Sequence, residues 1–213
     1  MTTPAIVGLS GSYTSPSRTR ILVEEIVRRT ALRYDKTSEI VDIGQFAPHL
    51  GAAVRLSDLN AAARRLVDRL LHAEALVVAS PVYKGSYTGL FKHLIDLMDP
   101  TAFNGKPVLL AATGGGDRHA LVIEHQLRPL FGFFEARTLA TGIYASERDF
   151  ADPTSISPAL AERLERAIGQ FAPYLESRTP NLLSTHSNVP EATSAVSRTR
   201  GRSFTRVPLA NLG

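Results

Sequence analysis

Short apolar runs alternate along the chain with longer stretches in which apolar residues recur at helical spacing. The apolar runs predict strands, and the amphipathic stretches predict helices. We therefore predict strands at residues 5–10, 39–43, 75–80, 108–112 and 138–144. Helices are predicted to follow them at residues 17–34, 57–72, 88–98, 119–134 and 158–176, with Ser57 as the N-cap of the second.

This alternation is typical of an α/β protein with a doubly wound parallel sheet. Right-handed crossovers place helices on both faces of such a sheet. The run 75–80 is almost wholly apolar, as expected for a strand that is buried on both faces. The predicted fold is flavodoxin-like, with five parallel strands in the order 2-1-3-4-5, and its ligand is expected beyond the carboxyl ends of the strands.

The end of the chain differs in composition from the rest. After Ser177 the sequence is rich in Ser, Thr, Asn, Pro and Arg and has no periodicity. Residues 1–178 are therefore predicted to form one domain, and residues 179–213 a flexible basic extension. The extension has four arginines and one glutamate, so it carries most of the net charge of +4. The rest of the chain is nearly neutral, and nucleic acid is not an expected partner.

Several function classes are excluded by what the sequence lacks. The chain has no cysteine, which excludes disulfides, thiolate metal sites and a cysteine nucleophile. His119 and His125 do not have metal-ligand spacing, and no G-x-S-x-G motif of a hydrolase occurs, so no metal site is predicted. The N-terminus does not resemble a signal peptide, and no apolar run is long enough to span a membrane. A cytoplasmic protein without membrane association is expected.

The loop before the first predicted helix, SGSYTSPSRT (residues 10–19), is rich in hydroxyl groups and contains an arginine. Backbone N–H groups at a helix N-terminus bind phosphate, and hydroxyl and guanidinium groups add hydrogen bonds. A loop that only caps the helix needs the same residue types, so this pattern leaves both interpretations open. Because the loop lacks the dinucleotide and triphosphate motifs, a monophosphate is the favoured ligand.

Two further loops are predicted to converge on the same edge of the sheet. SPVYKGSYTG (residues 80–89) offers tyrosines and glycines that suit a flat aromatic ligand, although tyrosines that merely cover the sheet edge would give the same pattern. ATGGGD (residues 112–117) has consecutive glycines, which would let a planar ring contact backbone N–H groups. A flexible turn is the alternative interpretation of these glycines.

Taken together, these loops resemble those of the NADPH-dependent FMN reductase family. Within it, the chain is most similar to the branch that supplies reduced flavin to alkanesulfonate and methanesulfonate monooxygenases. The resemblance runs from about Ile6 to Tyr174 and rests on GSYTSPSRT, ASPVYKGSYTG, ATGGG and IEHQLRP. It implies an enzyme that transfers a hydride from NADPH or NADH to FMN. It also implies a homodimer or homotetramer, and a flavin-dependent monooxygenase that receives the reduced FMN.

The resemblance further implies which residues bind FMN. The phosphate would be held by Ser10, Ser12, Ser17, Arg18 and Thr19. The isoalloxazine ring would be lined by Pro81, Val82, Tyr83, Lys84, Gly85 and Ser86, and its pyrimidine edge by Thr113, Gly114, Gly115 and Gly116. No side chain is predicted to act as a catalytic acid or base, because hydride passes directly from nicotinamide to flavin.

Pro129 lies inside the predicted helix 119–134 and lacks the N–H that would donate to the carbonyl of His125. We therefore predict a distortion near His125, either a proline kink or a π-bulge that absorbs one extra residue. The related sulfonate-linked reductases resemble this segment in carrying an inserted residue at such a bulge. In that case His125 is predicted to help keep FMN exchangeable.

Two other functions remain compatible with the loops. One is a quinone, azo-dye or chromate reductase that retains FMN and passes electrons to another acceptor. The other is a non-enzymatic flavodoxin-like electron carrier. A saturable dependence of turnover on added FMN would distinguish a reductase of free FMN from both.

Overall fold

A computed structural model describes residues 4–152 and 155–176 of the chain, so the predicted extension at 179–213 lies outside the described residues. The strands are β1 (Ile6–Ser10), β2 (Ser38–Asp42), β3 (Ala75–Pro81), β4 (Pro107–Gly114), β5 (Arg137–Thr138), β6 (Ile143–Ser146), β7 (Phe150–Asp152) and β8 (Ser155–Ile156). The α-helices are α1 (Arg18–Tyr34), α2 (Ala47–Leu50), α3 (Ala61–His72), α4 (Gly89–Asp96), α5 (Arg128–Phe133), α6 (Pro158–Gly169) and α7 (Ala172–Leu175).

The main sheet is parallel throughout and has the order β2-β1-β3-β4, with β5 and β6 both beside β4. This confirms the predicted flavodoxin-like order 2-1-3-4-5, in which the fifth position is filled by two short strands. The antiparallel pair β7-β8 was not predicted. The sheet order reverses at β1 and β3, so the crevice expected for a ligand lies at the carboxyl ends of these strands.

The prediction of one continuous strand at 138–144 was wrong. The N–H of Leu139 still donates to the carbonyl of Val108 in β4 at 2.9 Å, but the backbone groups that follow it bond to side chains. The carbonyls of Leu139 and Ala140 accept hydrogen bonds from Arg128 at 2.9 and 3.3 Å. The N–H of Thr141 donates to the Gln170 side chain at 3.0 Å. These bonds divide the strand and also attach α5 to it.

Helices cover both faces of the sheet, as predicted. In β3, Leu76 and Val78 pack into the cluster formed with α3, α4 and α5, whereas Val77 and Ala79 pack into the cluster formed with α1 and α6. This two-residue alternation is the geometry of a strand. Burial on both faces explains why the sequence of β3 is almost wholly apolar.

The second and the last predicted helix differ from the structure. The second long helix begins at Ala61, and Asn60 is its N-cap, whose Oδ1 accepts a hydrogen bond from the N–H of Ala63 at 2.8 Å. Ser57 instead lies in a 3₁₀ turn. The last predicted helix is divided, because Pro173 has no N–H to donate to the carbonyl of Gly169, where α6 ends.

The predicted distortion near His125 is a π-helix, Ile123–Leu127, which runs directly into α5. The N–H of Arg128 donates to the carbonyl of Ile123, five residues earlier, which is the π-helical pattern. The π-bulge is thereby confirmed, and the side chain of His125 is exposed. The segment before the π-helix is not regular α-helix, since Asp117–His119 forms a 3₁₀ turn.

None of the helices described at residues 4–152 and 155–176 has the length and apolar character needed to cross a membrane. Over the same residues, no group of His, Asp and Glu side chains is arranged to hold a metal ion.

Candidate functional site

A cavity of about 630 Å³ opens at the carboxyl ends of β1, β3 and β4, and we call it the sheet-edge cavity. Most of the residues that line it belong to the three predicted loops: Ser12, Thr14, Pro16, Ser17, Arg18, Thr19, Pro81, Val82, Tyr83, Thr113, Gly114 and Gly115. Ile21 of α1 also lines it. Glu147 and Phe150 complete the lining from the segment that follows β6. The three loops thus form one concave site, as expected at the topological switch point.

The first loop leads into the N-terminus of α1, where Ser17 caps the helix by accepting a hydrogen bond from the N–H of Arg20 at 3.2 Å. The N–H groups of Arg18 and Thr19 lie in the first turn, where the helix itself offers no acceptor. The guanidinium of Arg18 forms an ion pair with Glu147 at 2.7 Å. Capping therefore uses Ser17, and the end of the helix retains donors that can bind an anion.

Hydrogen bonds fix the three loops relative to one another. The hydroxyls of Thr19 and Thr113 lie 2.6 Å apart in a buried contact between α1 and β4. Thr88 donates to the carbonyl of Gly11 at 2.9 Å, which joins the second loop to the first. The N–H of Val82 donates to the carbonyl of Thr113 at 2.8 Å. A ligand in the cavity would therefore meet walls that are held in place before it binds.

The second loop is a tight turn in which the backbone groups of Tyr83 and Ser86 bond to each other at 2.8 and 3.1 Å. Lys84 and Gly85 adopt positive φ angles of 53° and 83°, a combination typical of a type I′ turn. Tyr83 lies at the cavity rim and packs edge to face against Tyr13, with the ring centroids 6.0 Å apart. The Ser86 hydroxyl donates to Gln126 of the π-helix at 3.1 Å, so this loop is attached to the distorted helix.

The glycines of the third loop have different surroundings. A Cβ at Gly114 would overlap the hydroxyl of Tyr144, whereas a Cβ at Gly115 would have nothing within 4 Å. The Tyr144 hydroxyl donates to the carbonyl of Gly116 at 2.5 Å. Burial, helped by the Asp117 carboxylate, raises the pKa of Tyr144, which keeps this hydroxyl protonated as a donor. Gly114 is required for packing, and Gly115 leaves space in the cavity.

Five predicted site residues do not line the cavity, and their roles stay predictions: Ser10, Lys84, Gly85, Ser86 and Gly116. Ser10 is fully buried at the base of the first loop, and its hydroxyl has no hydrogen-bond partner among the described residues. A buried hydroxyl normally has such a partner. The orphaned hydroxyl is therefore consistent with a ligand group at the base of this loop.

Sequence reasoning missed Glu147, although a signal was present. Glu147 begins a 3₁₀ turn capped by a S-x-x-D pattern, in which Asp149 accepts hydrogen bonds from the Ser146 N–H and hydroxyl at 2.8 and 3.1 Å. Arg163 of α6 donates to the other Asp149 oxygen at 2.8 Å. This braced turn fixes the position of Glu147 at the cavity.

The chain matches the family described as NADPH-dependent FMN reductase over residues 4–151. It is 44% identical to the NADH-dependent FMN reductase SfnF of Pseudomonas fluorescens, over 84% of this chain and 95% of that protein. It is 43% identical to an FMN reductase (NADPH) of Pseudomonas aeruginosa, over 84% of this chain and 97% of that protein.

A solved structure shows the same architecture. The apo form of the NADH:FMN oxidoreductase EMOB superposes with a TM-score of 0.71 at 30% sequence identity. The similarity covers 83% of this chain and 92% of that chain. With its flavodoxin-like sheet and a family match that spans the loops after β1, β3 and β4, the chain belongs to the NADPH-dependent FMN reductase family.

Proposed function

We propose that this enzyme binds FMN in the sheet-edge cavity, reduces it with NADH or NADPH, and releases it to a flavin-dependent monooxygenase. The observation that carries the proposal is that the three loops with the family's flavin-binding motifs line one cavity. Hydrogen bonds between the loops, such as that between Thr19 and Thr113, support it further, because they hold the walls in a fixed geometry.

The phosphate of FMN fits the N-terminal end of α1. The N–H groups of Arg18 and Thr19 and the Arg18 guanidinium are donors there, and Ser12 and Ser17 add hydroxyls. A helix N-terminus favours an anion through both its unpaired N–H groups and its dipole. The unpartnered hydroxyl of Ser10 lies at the base of the same loop. These donors suit one phosphate group better than the extended phosphates of a dinucleotide.

The isoalloxazine ring fits between the second and third loops. Pro81 and Val82 offer an apolar wall, and Tyr83 covers the rim. The open space at Gly115 lets a ring edge approach the backbone N–H groups of the third loop. Bound FMN supplies an electrophilic ring nitrogen that accepts hydride directly from nicotinamide. The residues of the cavity therefore have to hold the reactants in register, and none has to transfer a proton in this step.

The hydride donor and the recipient of reduced FMN are parts of the same proposal. The SfnF relative is named for NADH and the Pseudomonas aeruginosa relative for NADPH, at nearly equal identity to this chain, so both nucleotides are candidates. The resemblance of the loops supports a monooxygenase of sulfonate sulfur assimilation as the recipient. On the same basis we propose a homodimer or homotetramer that works in the cytoplasm.

Anaerobic mixing of the protein with FMN and each nucleotide tests this function directly. We expect loss of the oxidised-flavin absorbance, at a rate that saturates with added FMN. A quinone, an azo dye and chromate are offered as competing acceptors at matched concentration. Faster turnover of one of these without added FMN would indicate an enzyme that retains its flavin. Slow oxidation of both nucleotides would indicate an electron carrier instead.

Replacement of Arg18 tests the phosphate site. We expect Arg18→Ala to weaken FMN binding by roughly 10- to 100-fold, because a charge-assisted hydrogen bond contributes about 1.5–3 kcal/mol. Riboflavin, which has no phosphate, should bind as it does to the wild type. The measurement is quenching of flavin fluorescence by the purified protein.

Arg20→Ala is the matched control for this prediction. Arg20 is close in sequence and similarly exposed, but its guanidinium is paired with Glu24 and Asp42, and it does not line the cavity. It should bind FMN like the wild type. Equal losses of FMN and riboflavin in Arg18→Ala would contradict the phosphate role.

A further inference from the structure

Arg18 and Glu147 are the only charged residues among the described residues that line the sheet-edge cavity. Their side chains form an ion pair at 2.7 Å, with 50% and 62% of each side chain exposed. An ion pair this exposed contributes little to the stability of a fold. Stabilisation of the fold therefore does not explain why Glu147 is paired with Arg18 in the cavity.

The position of Glu147 is fixed by the turn that carries it. Asp149, in the same turn, is buried and bonds to both Ser146 and Arg163. These contacts hold the backbone at residue 147, while the Glu147 carboxylate itself is turned towards Arg18 in the cavity lining. The turn thus acts as a rigid support that presents one negative charge to the N-terminal end of α1.

Two nearby guanidinium groups have acidic partners of their own. Arg20 is held by Glu24 and Asp42, and Arg148 pairs with Asp117 at 2.6 Å. A phosphate monoester is close to a dianion at neutral pH. The cavity therefore offers an FMN phosphate one guanidinium, that of Arg18, which is already paired with the Glu147 carboxylate.

We propose that Glu147 sets the affinity for FMN by competing with its phosphate for Arg18. This inference rests on the proposed function, in which FMN enters and leaves as a substrate. To bind, FMN must displace the Glu147 carboxylate from Arg18, and its phosphate then lies near that negative charge. Riboflavin has no phosphate and avoids both costs. Glu147 is thus a specificity-determining residue that lowers the affinity for phosphorylated flavin. In the return direction, the carboxylate replaces the phosphate on Arg18 and so assists release of reduced FMN.

The test is Glu147→Gln in the full chain, with binding of FMN and riboflavin measured by fluorescence titration. We expect the Kd for FMN to fall about tenfold, in keeping with the strength of charge-assisted bonds, and the Kd for riboflavin to stay unchanged. In steady-state assays both the KM for FMN and kcat should fall, because product leaves more slowly. In an Arg18→Ala background the gain should be smaller, since the competition for Arg18 is absent there and only the repulsion between Glu147 and the phosphate remains.

Glu24→Gln is the matched control, because Glu24 is a partly exposed acid that does not line the cavity, and its partner Arg20 stays paired with Asp42. It should leave the Kd for FMN unchanged. The inference is overturned if Glu147→Gln binds FMN no more tightly, if riboflavin gains equally, or if Glu24→Gln gives the same gain. If the wild type does not bind or reduce FMN at all, the proposed function itself has failed, and this result is seen before any variant is made.

Discussion

Gly115→Val is expected to weaken FMN binding by roughly 10- to 100-fold while leaving the fold intact. A side chain at residue 115 would meet nothing within 4 Å, and its backbone does not adopt the left-handed conformation that favours glycine. The added methyl groups would therefore point into the space assigned to the flavin ring edge. Steric overlap of this kind costs about 1–3 kcal/mol in a well-packed contact. Flavin fluorescence titration measures the loss, and thermal unfolding checks the fold.

Two other glycines provide controls for this prediction. Gly44 is exposed, also has open space around its Cβ position, and does not line the cavity. Gly44→Val should bind FMN like the wild type. Gly114→Val should instead destabilise the protein, because its side chain would overlap the Tyr144 hydroxyl. Unchanged FMN affinity in a folded Gly115→Val variant would place the flavin elsewhere.

The sheet and three of its loops were predictable because local sequence determines them. The runs that form β1, β3 and β4 are nearly all apolar, since both faces of these strands are buried. The order of the sheet then brings the loops that follow to one edge. A distortion near His125 was also predictable, because Pro129 lacks an N–H whatever the tertiary context, but the choice between a kink and a π-bulge rested on the family resemblance.

The residues that were missed depend on contacts between distant parts of the chain. The S-x-x-D pattern at residues 146–149 indicates the turn that carries Glu147, but nothing in the sequence near residue 147 indicates that Arg163 of α6 braces this turn at the cavity. The division of the fifth strand depends on Arg128 and Gln170, which lie far from it in sequence. The N-cap of α3 was placed wrongly for a different reason, since Ser57 and Asn60 are both good N-caps and packing decides between them.

The π-helix contacts the proposed flavin site at one point. Gln126 accepts a hydrogen bond from the Ser86 hydroxyl at 3.1 Å, and Ser86 belongs to the loop that the resemblance assigns to the isoalloxazine ring. On the other side, Arg128 is anchored to the carbonyl of Leu139 at 2.9 Å. Successive residues of an α-helix differ by about 100° in direction. The extra residue of the π-helix therefore changes the directions of Gln126 and Arg128 relative to Ile123, which packs over Gly142.

Deletion of His125 should therefore convert the protein towards a form that holds FMN tightly. Removal of one residue should turn Gln126 away from Ser86 and break their hydrogen bond, so that the loop carrying Ser86, which the resemblance assigns to the isoalloxazine ring, can adjust to the flavin. We expect FMN to remain bound through purification and turnover of added FMN to fall about tenfold or more, the change that roughly 1.4 kcal/mol of tighter binding produces. His125→Ala keeps the chain length and the π-helix, so it should behave like the wild type. If the deletion variant folds and assembles normally but retains no FMN and turns over added FMN at the wild-type rate, the π-helix does not control flavin exchange.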